Sequence, residues 1–210
     1  MTNKYNATRV YWHPRCGYFK GKQALDAYFD LSKIETSGIN KTDFQIFDSV
    51  FESEVHKLLI KWLIDFNKGL SDLDSLLLTS QVQVDLSQSN FCKMGYKIDF
   101  LIAHNRRLGF APSSKKTYKA RCKPFGMRYE DLPLIGIDTH NSLLIEAKGL
   151  FTSEAKHKHL LLESNGWQHG KDIVIVQQEA QYVARGKKCY CTLTSAQLLD
   201  KLNQRFVKGE

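Results

Sequence analysis

The residues best suited to chemistry are Glu146 and Lys148, two opposite charges with only Ala147 between them. They end the run Leu143-Leu-Ile-Glu-Ala-Lys-Gly-Leu150, whose apolar start and trailing Gly149 fit a buried central strand. Residues i and i+2 of a strand project from one face, so carboxylate and ammonium stand side by side. Desolvating such charges costs several kcal/mol, so a strand end keeps them either as a structural ion pair or for a reaction. A second carboxylate, Asp99, lies inside Tyr96-Lys-Ile-Asp-Phe-Leu-Ile-Ala103, otherwise apolar from Ile98 onward. Asp opposes strand propensity there, unless it faces solvent on an edge strand, and such local violations are expected where function overrides stability.

Two carboxylates on adjacent strands suit a hard divalent cation, Mg²⁺ or Mn²⁺, which takes oxygen ligands. The Ala147 backbone carbonyl lies between them as a further ligand, and Lys148 is placed to orient or help deprotonate a water. A cation held this way lowers the pKa of that water and stabilises charge on a phosphate under attack. A third acid, Glu52, is set to join a second ion or its water from a helix packed on the sheet. Its structural alternative is a capping box with Ser49, three residues earlier.

The elements that must position these groups follow from periodicity. Residues 48–64 read as a helix, with Val55, Leu58, Leu59, Trp62 and Leu63 as its apolar stripe, Glu52 near the inward face, and Glu54 and Lys61 outside. Val82, Val84 and Leu86 alternate with polar residues as a half-buried strand does, and 96–103 forms the next strand. After 143–150, residues 152–163 read as a helix with Ala155, His159, Leu160 and Leu162 or Leu161 inward and Lys156 and Lys158 outside. The β-branched run 173–176 is a further buried strand. Strand, helix and strand at these lengths make a βαβ crossover, which implies parallel pairing. Residues 195–206 close the chain as an amphipathic helix capped by Thr194 or Ser195.

With 210 residues and a net charge of +8, the chain can bury a real core and favours a polyanionic partner. The charge is concentrated in residues 105–128, where Arg106, Arg107, Lys115, Lys116, Lys119, Arg121, Lys123 and Arg128 occur without an acid. Phe110, Tyr118 and Phe125 are interleaved, a combination suited to a nucleic-acid backbone and to stacking on unpaired bases. There is no apolar run of membrane-spanning length and no signal-peptide core at the start, so a cytosolic setting is expected. Such a setting keeps Cys16, Cys92, Cys122, Cys189 and Cys191 reduced, and their spacing matches no standard zinc pattern.

The order Glu52, Asp99, Glu146-Ala-Lys148 resembles the PD-(D/E)XK nuclease superfamily over roughly residues 45–180, with Ile98 where the superfamily name has Pro. Ile145-Glu-Ala-Lys-Gly-Leu-Phe, Lys156-His-Lys-His-Leu-Leu-Leu and Asp172-Ile-Val-Ile-Val look like the phage-type endonuclease I that resolves Holliday junctions. Asp48-Ser-Val-Phe-Glu52 looks like the helix opening of small phage nucleases of that superfamily. The resemblance implies an α/β, restriction-endonuclease-like core: a mixed four- to five-stranded sheet flanked by helices. It also implies Mg²⁺- or Mn²⁺-dependent DNA cleavage, active-site roles for Glu52, Asp99, Glu146 and Lys148, a phosphate contact at Lys158, and a homodimer. Residues 1–44 are then an N-terminal arm and 45–210 the nuclease domain. Asp99 and Glu146 are 47 positions apart, with a basic insertion at about 104–141 between them, and Asp138 is the rival ligand if that segment is the core hairpin. A transposon-end-cleaving, homing or restriction-type enzyme would share this site and differ in DNA choice. A non-catalytic nucleic-acid-binding protein would explain the charge but not the acids at strand ends.

Overall fold

A computed structural model describes residues 8–31, 38–71, 74–85, 95–104, 142–149, 152–164, 167–178 and 192–207. The chain falls into two compact units, Met1–Leu58 and Leu59–Glu210, with the boundary inside a helix. In the first unit, β1 (Val10–His13), β2 (Gly17–Lys20) and β3 (Gln45–Phe47) form an antiparallel sheet in the order β2-β1-β3. Cys16 N–H donates to the His13 carbonyl at 3.1 Å to close the β1–β2 turn. The next residue, Gly17, sits at φ 84°, a left-handed conformation that glycine adopts without a Cβ clash. Helix α1 (Gly21–Leu31) follows the hairpin. Trp12, Tyr18, Phe47 and His56 pack ring against ring, and the Tyr18 hydroxyl and His56 Nδ1 share a hydrogen bond of 2.7 Å.

Helix α2 (Val50–Asn67) carries Glu52, Val55, Leu59, Trp62 and Phe66 on its buried side, whereas Glu54 and Lys61 are exposed. That is the 3.6-residue stripe expected of a helix with one face on a core. Ser49 Oγ accepts from Glu52 N–H at 3.0 Å, and the Glu52 carboxylate reaches back to Asp48 N–H at 2.9 Å. The capping interaction expected of Glu52 therefore forms, returning to the residue before the cap rather than to the cap itself.

The second unit is built on a five-stranded mixed sheet in the order β4-β5-β6-β7-β8: Leu76–Asp85, Gly95–His104, Ser142–Lys148, Ile173–Gln177 and Thr192–Leu193. The first three strands are antiparallel and the last three parallel. The β6–β7 connection contains α3 (Ser153–Ser164), so the expected crossover and its parallel pairing are present. Thr152 Oγ1 accepts from Ala155 N–H at 3.2 Å at the start of α3. Ala155, His159 and Leu162 of α3 are buried, one turn apart. Leu160 is 47% exposed, against the expectation that it faces inward, because it lies one residue, about 100°, beyond His159 on the helix. Helix α4 (Ser195–Arg205) is capped by Thr194, whose Oγ1 accepts from Gln197 N–H at 3.3 Å. Its Asn203 Oδ1 accepts from Trp62 Nε1 at 2.8 Å.

One irregularity shapes the sheet. The β4–β5 register runs from Leu76↔His104 to Asp85↔Gly95 but omits the step between Gln81 and Asp99. Gln81 is there at φ 60°, the one non-glycine with positive φ among the described residues. Ile98 and Leu101 would face opposite sides of a regular strand, yet both pack in one core cluster with Tyr96, Ala103, Leu144, Leu162 and Ile173. A left-handed residue turns the strand pair at this step, so the inward face changes parity at Asp99. Among the described residues no helix is long and apolar enough to cross a membrane.

Candidate active site

Asp99 lies mid-strand in β5, between β4 and β6 rather than on an edge. The described β5–β6 pairing extends from Ala103↔Ser142 only as far as Phe100↔Ile145. Beyond that point side chains take over from the backbone ladder. Asp99 N–H donates to Glu146 Oε2 at 3.3 Å, and Ala147 N–H donates to Asp99 Oδ2 at 2.8 Å. Each acid is thus held by the other strand's backbone, and the two carboxylates converge where the strands part.

Glu146 is 1% exposed and would be costly to bury alone. Lys148, two residues on and on the same face, forms an ion pair with its Oε1. The Tyr96 hydroxyl donates to the same oxygen at 2.6 Å, a short charge-assisted bond. Tyr96 reaches Glu146 because the parity change at Asp99 brings its ring under α3. Neighbouring backbone directions also matter. Leu144 N–H points to the β7 side, donating to the Asp172 carbonyl at 2.9 Å, while Ala147 N–H points to the β5 side. N–H and C=O of one strand residue point to the same neighbour, so the Ala147 carbonyl also faces the Asp99 side.

Tyr96 is backed by imidazoles. His159 of α3, fully buried, meets the Tyr96 ring edge-on with centroids 5.7 Å apart. His159 Nδ1 and His169 Nε2 are 2.9 Å apart, and His169 Nδ1 lies 3.1 Å from Glu163 Oε1. Burial, then His169 and the Lys148 charge, lower the His159 pKa to about 3, and burial, opposed by Glu163, also lowers that of His169. Both rings are therefore neutral near pH 7. The Glu163 carboxylate can only accept, so the His169 proton is on Nδ1, and His159 in turn donates from Nδ1 to His169 Nε2. Lys158 Nζ lies over the Tyr96 ring at 5.7 Å from its centroid. It is half-buried, whereas Lys156 is exposed.

The structure brings together Asp99, Glu146, Ala147 and Lys148 as expected. Glu52 is buried at the start of α2, in the first unit. Arg106, Arg107, Lys115, Lys116, Lys119, Arg121, Lys123, Arg128 and the rival Asp138 lie outside the described residues, as do all the cysteines except Cys16, a free thiol. Among the described residues, no group of three or more His, Cys, Asp and Glu side chains is arranged to hold a metal ion. A cation here would depend on two carboxylates, a backbone carbonyl and water, a hard all-oxygen set compatible with Mg²⁺ or Mn²⁺. Sequence reading passed over Tyr96, His159, His169 and Glu163. Tyr96 and His159 look like ordinary apolar-face residues, so neither stands out in the sequence. Comparison with protein-family models, with curated proteins and with solved structures found no match.

Proposed function

We propose that the chain is a divalent-cation-dependent DNA endonuclease with Asp99, Glu146 and Lys148 at its active site. The observation that carries this reading is the interlocked Asp99–Glu146 pair at the parting of β5 and β6, with Lys148 on the same face. A structural ion pair would need Glu146 and Lys148 alone; it gives no reason for a second carboxylate turned against the first. Asp99, Glu146 and the Ala147 carbonyl would hold Mg²⁺ or Mn²⁺. Bound there, the ion supplies Lewis acidity toward a phosphodiester and acidifies a water. Tyr96 and Asp99 N–H fix the Glu146 carboxylate, and the sheet holds both acids on rigid elements. Lys148 keeps a cationic donor next to the reacting phosphate, where it orients the attacking water. The basic segment 105–128, with Lys156 and Lys158, supplies backbone contacts to DNA, and the active-site role of Glu52 rests on its order in the sequence alone. Cutting both strands of a duplex needs two sites, which a homodimer provides.

The test is nicking of supercoiled plasmid in Mg²⁺ or Mn²⁺ against EDTA, with a four-way junction beside a matched linear duplex to read DNA preference. Asp99→Ala and Glu146→Ala are expected to lower the rate by roughly a hundredfold or more while DNA binding persists. Undiminished cleavage in excess EDTA, or by both variants, would remove the reading.

A further inference from the structure

Gln177 ends β7 and is fully buried, and among the described residues neither its Oε1 nor its Nε2 has a hydrogen-bond partner. A buried amide left unsatisfied costs about 1–3 kcal/mol, and such a group calls for a reason. Its position supplies one. In the parallel β6–β7 register Gln177 pairs with Lys148, and Ile175 pairs with Glu146. Registered neighbours project from the same face of a sheet, on strands about 4.8 Å apart. Lys148 therefore has Glu146 two residues behind it on its own strand and the Gln177 amide beside it on the next.

We propose that Gln177 is a second seat for Lys148, its side-chain carbonyl receiving the ammonium when a divalent cation takes the oxygens of Glu146. The inference rests on the reading of Asp99 and Glu146 as a metal centre and deepens it. Glu146 Oε1 already accepts from both Tyr96 and Lys148. A dication on that carboxylate repels the ammonium and competes for the same lone pairs, so Lys148 must leave it. A neutral acceptor within reach holds the displaced ammonium beside the site without adding a negative charge that would compete for the metal. Leucine at this place would pack as well but could not accept. Gln177 is thus a positioning residue acting through Lys148, and the amide's unmet bonding capacity is the complement of that role.

The experiment is Mn²⁺ titration calorimetry and urea unfolding on the full chain carrying Gln177→Leu, Lys148→Met and both together. In the absence of metal, Gln177→Leu is expected to be at least as stable as the wild type, because it removes an unsatisfied buried amide. Its Mn²⁺ dissociation constant is expected to rise roughly tenfold, the scale of a lost supporting contact around a metal ligand. In the Lys148→Met background the same substitution should leave Mn²⁺ affinity unchanged, since no ammonium needs a seat. Unaltered affinity in the single variant overturns the proposal. So does an equal loss in both backgrounds, or a metal-free chain destabilised by leucine. A wild-type protein that binds no Mn²⁺ instead removes the metal-centre reading itself, and the proposal with it.

Discussion

Asp99 and Glu146 hold each other through exchanged backbone donors: Asp99 N–H binds Glu146 Oε2 at 3.3 Å, and the N–H following Glu146, that of Ala147, binds Asp99 Oδ2 at 2.8 Å. Neither acid can turn away without breaking a bond made by the opposite strand. This holds both carboxyl groups at the point where the β5–β6 ladder ends.

Tyr96→Phe isolates the phenol's share of that arrangement. The ring stays under α3 while Glu146 Oε1 loses its 2.6 Å donor. We expect a loss of about 1–2 kcal/mol in stability and roughly tenfold weaker metal-dependent cleavage at saturating DNA. A variant as stable and as active as the wild type would show that Lys148 and Asp99 N–H suffice for Glu146.

Gln81 sits at φ 60° opposite the omitted Asp99 step. Gln81→Val places a β-branched side chain in a left-handed backbone and should cost about 1–2 kcal/mol by urea unfolding. Gln81→Gly should stay within about 1 kcal/mol of the wild type. Should valine be tolerated as well as glycine, the turned strand pair at Asp99 is not maintained in solution.

Two buried histidines set a pH dependence. Burial lowers the pKa of His56 from 6.5 to about 4, and burial first, with His169 and Lys148, lowers that of His159 to about 3. The unfolded chain then binds more protons than the folded one between those values and 6.5, so stability falls as pH drops below 6.5. By pH 5 the loss is about 2 kcal/mol per histidine, a range in which most carboxylates stay ionised. Unfolding free energies that are flat from pH 7 to 5 would refute the neutral, buried state of both rings.

The basic segment makes a salt-dependent prediction from charge alone, since residues 105–128 lie outside the described residues. Changing Arg106, Arg107, Lys115 and Lys116 to Ser should flatten the slope of log affinity against log salt by about 3 to 4 if all four contact phosphate on duplex. Cleavage at saturating DNA should change little. An unaltered slope would move the DNA path to Lys156 and Lys158.

Local pattern determined much of this protein. The alternation around Val82, the apolar run at Leu143 and the β-branched run at Ile173 specify strands because side chains alternate with period two and must bury one or both faces. The stripe from Val55 to Trp62 specifies α2 in the same way, and the lengths between Leu143 and Val176 allow only a parallel crossover. Glu146 and Lys148 on one face follow from their spacing alone. What the sequence could not contain is the turned step at Gln81 and Asp99. A left-handed glutamine leaves no pattern, and it changes which residues of β5 face α3. That step brings Tyr96 onto Glu146, and the packing of α3 brings His159, His169 and Glu163 into line behind it. The register that sets Gln177 beside Lys148 is likewise a property of two strands 29 positions apart in the chain. Contacts of this range depend on how elements stack, and only the tertiary structure decides that.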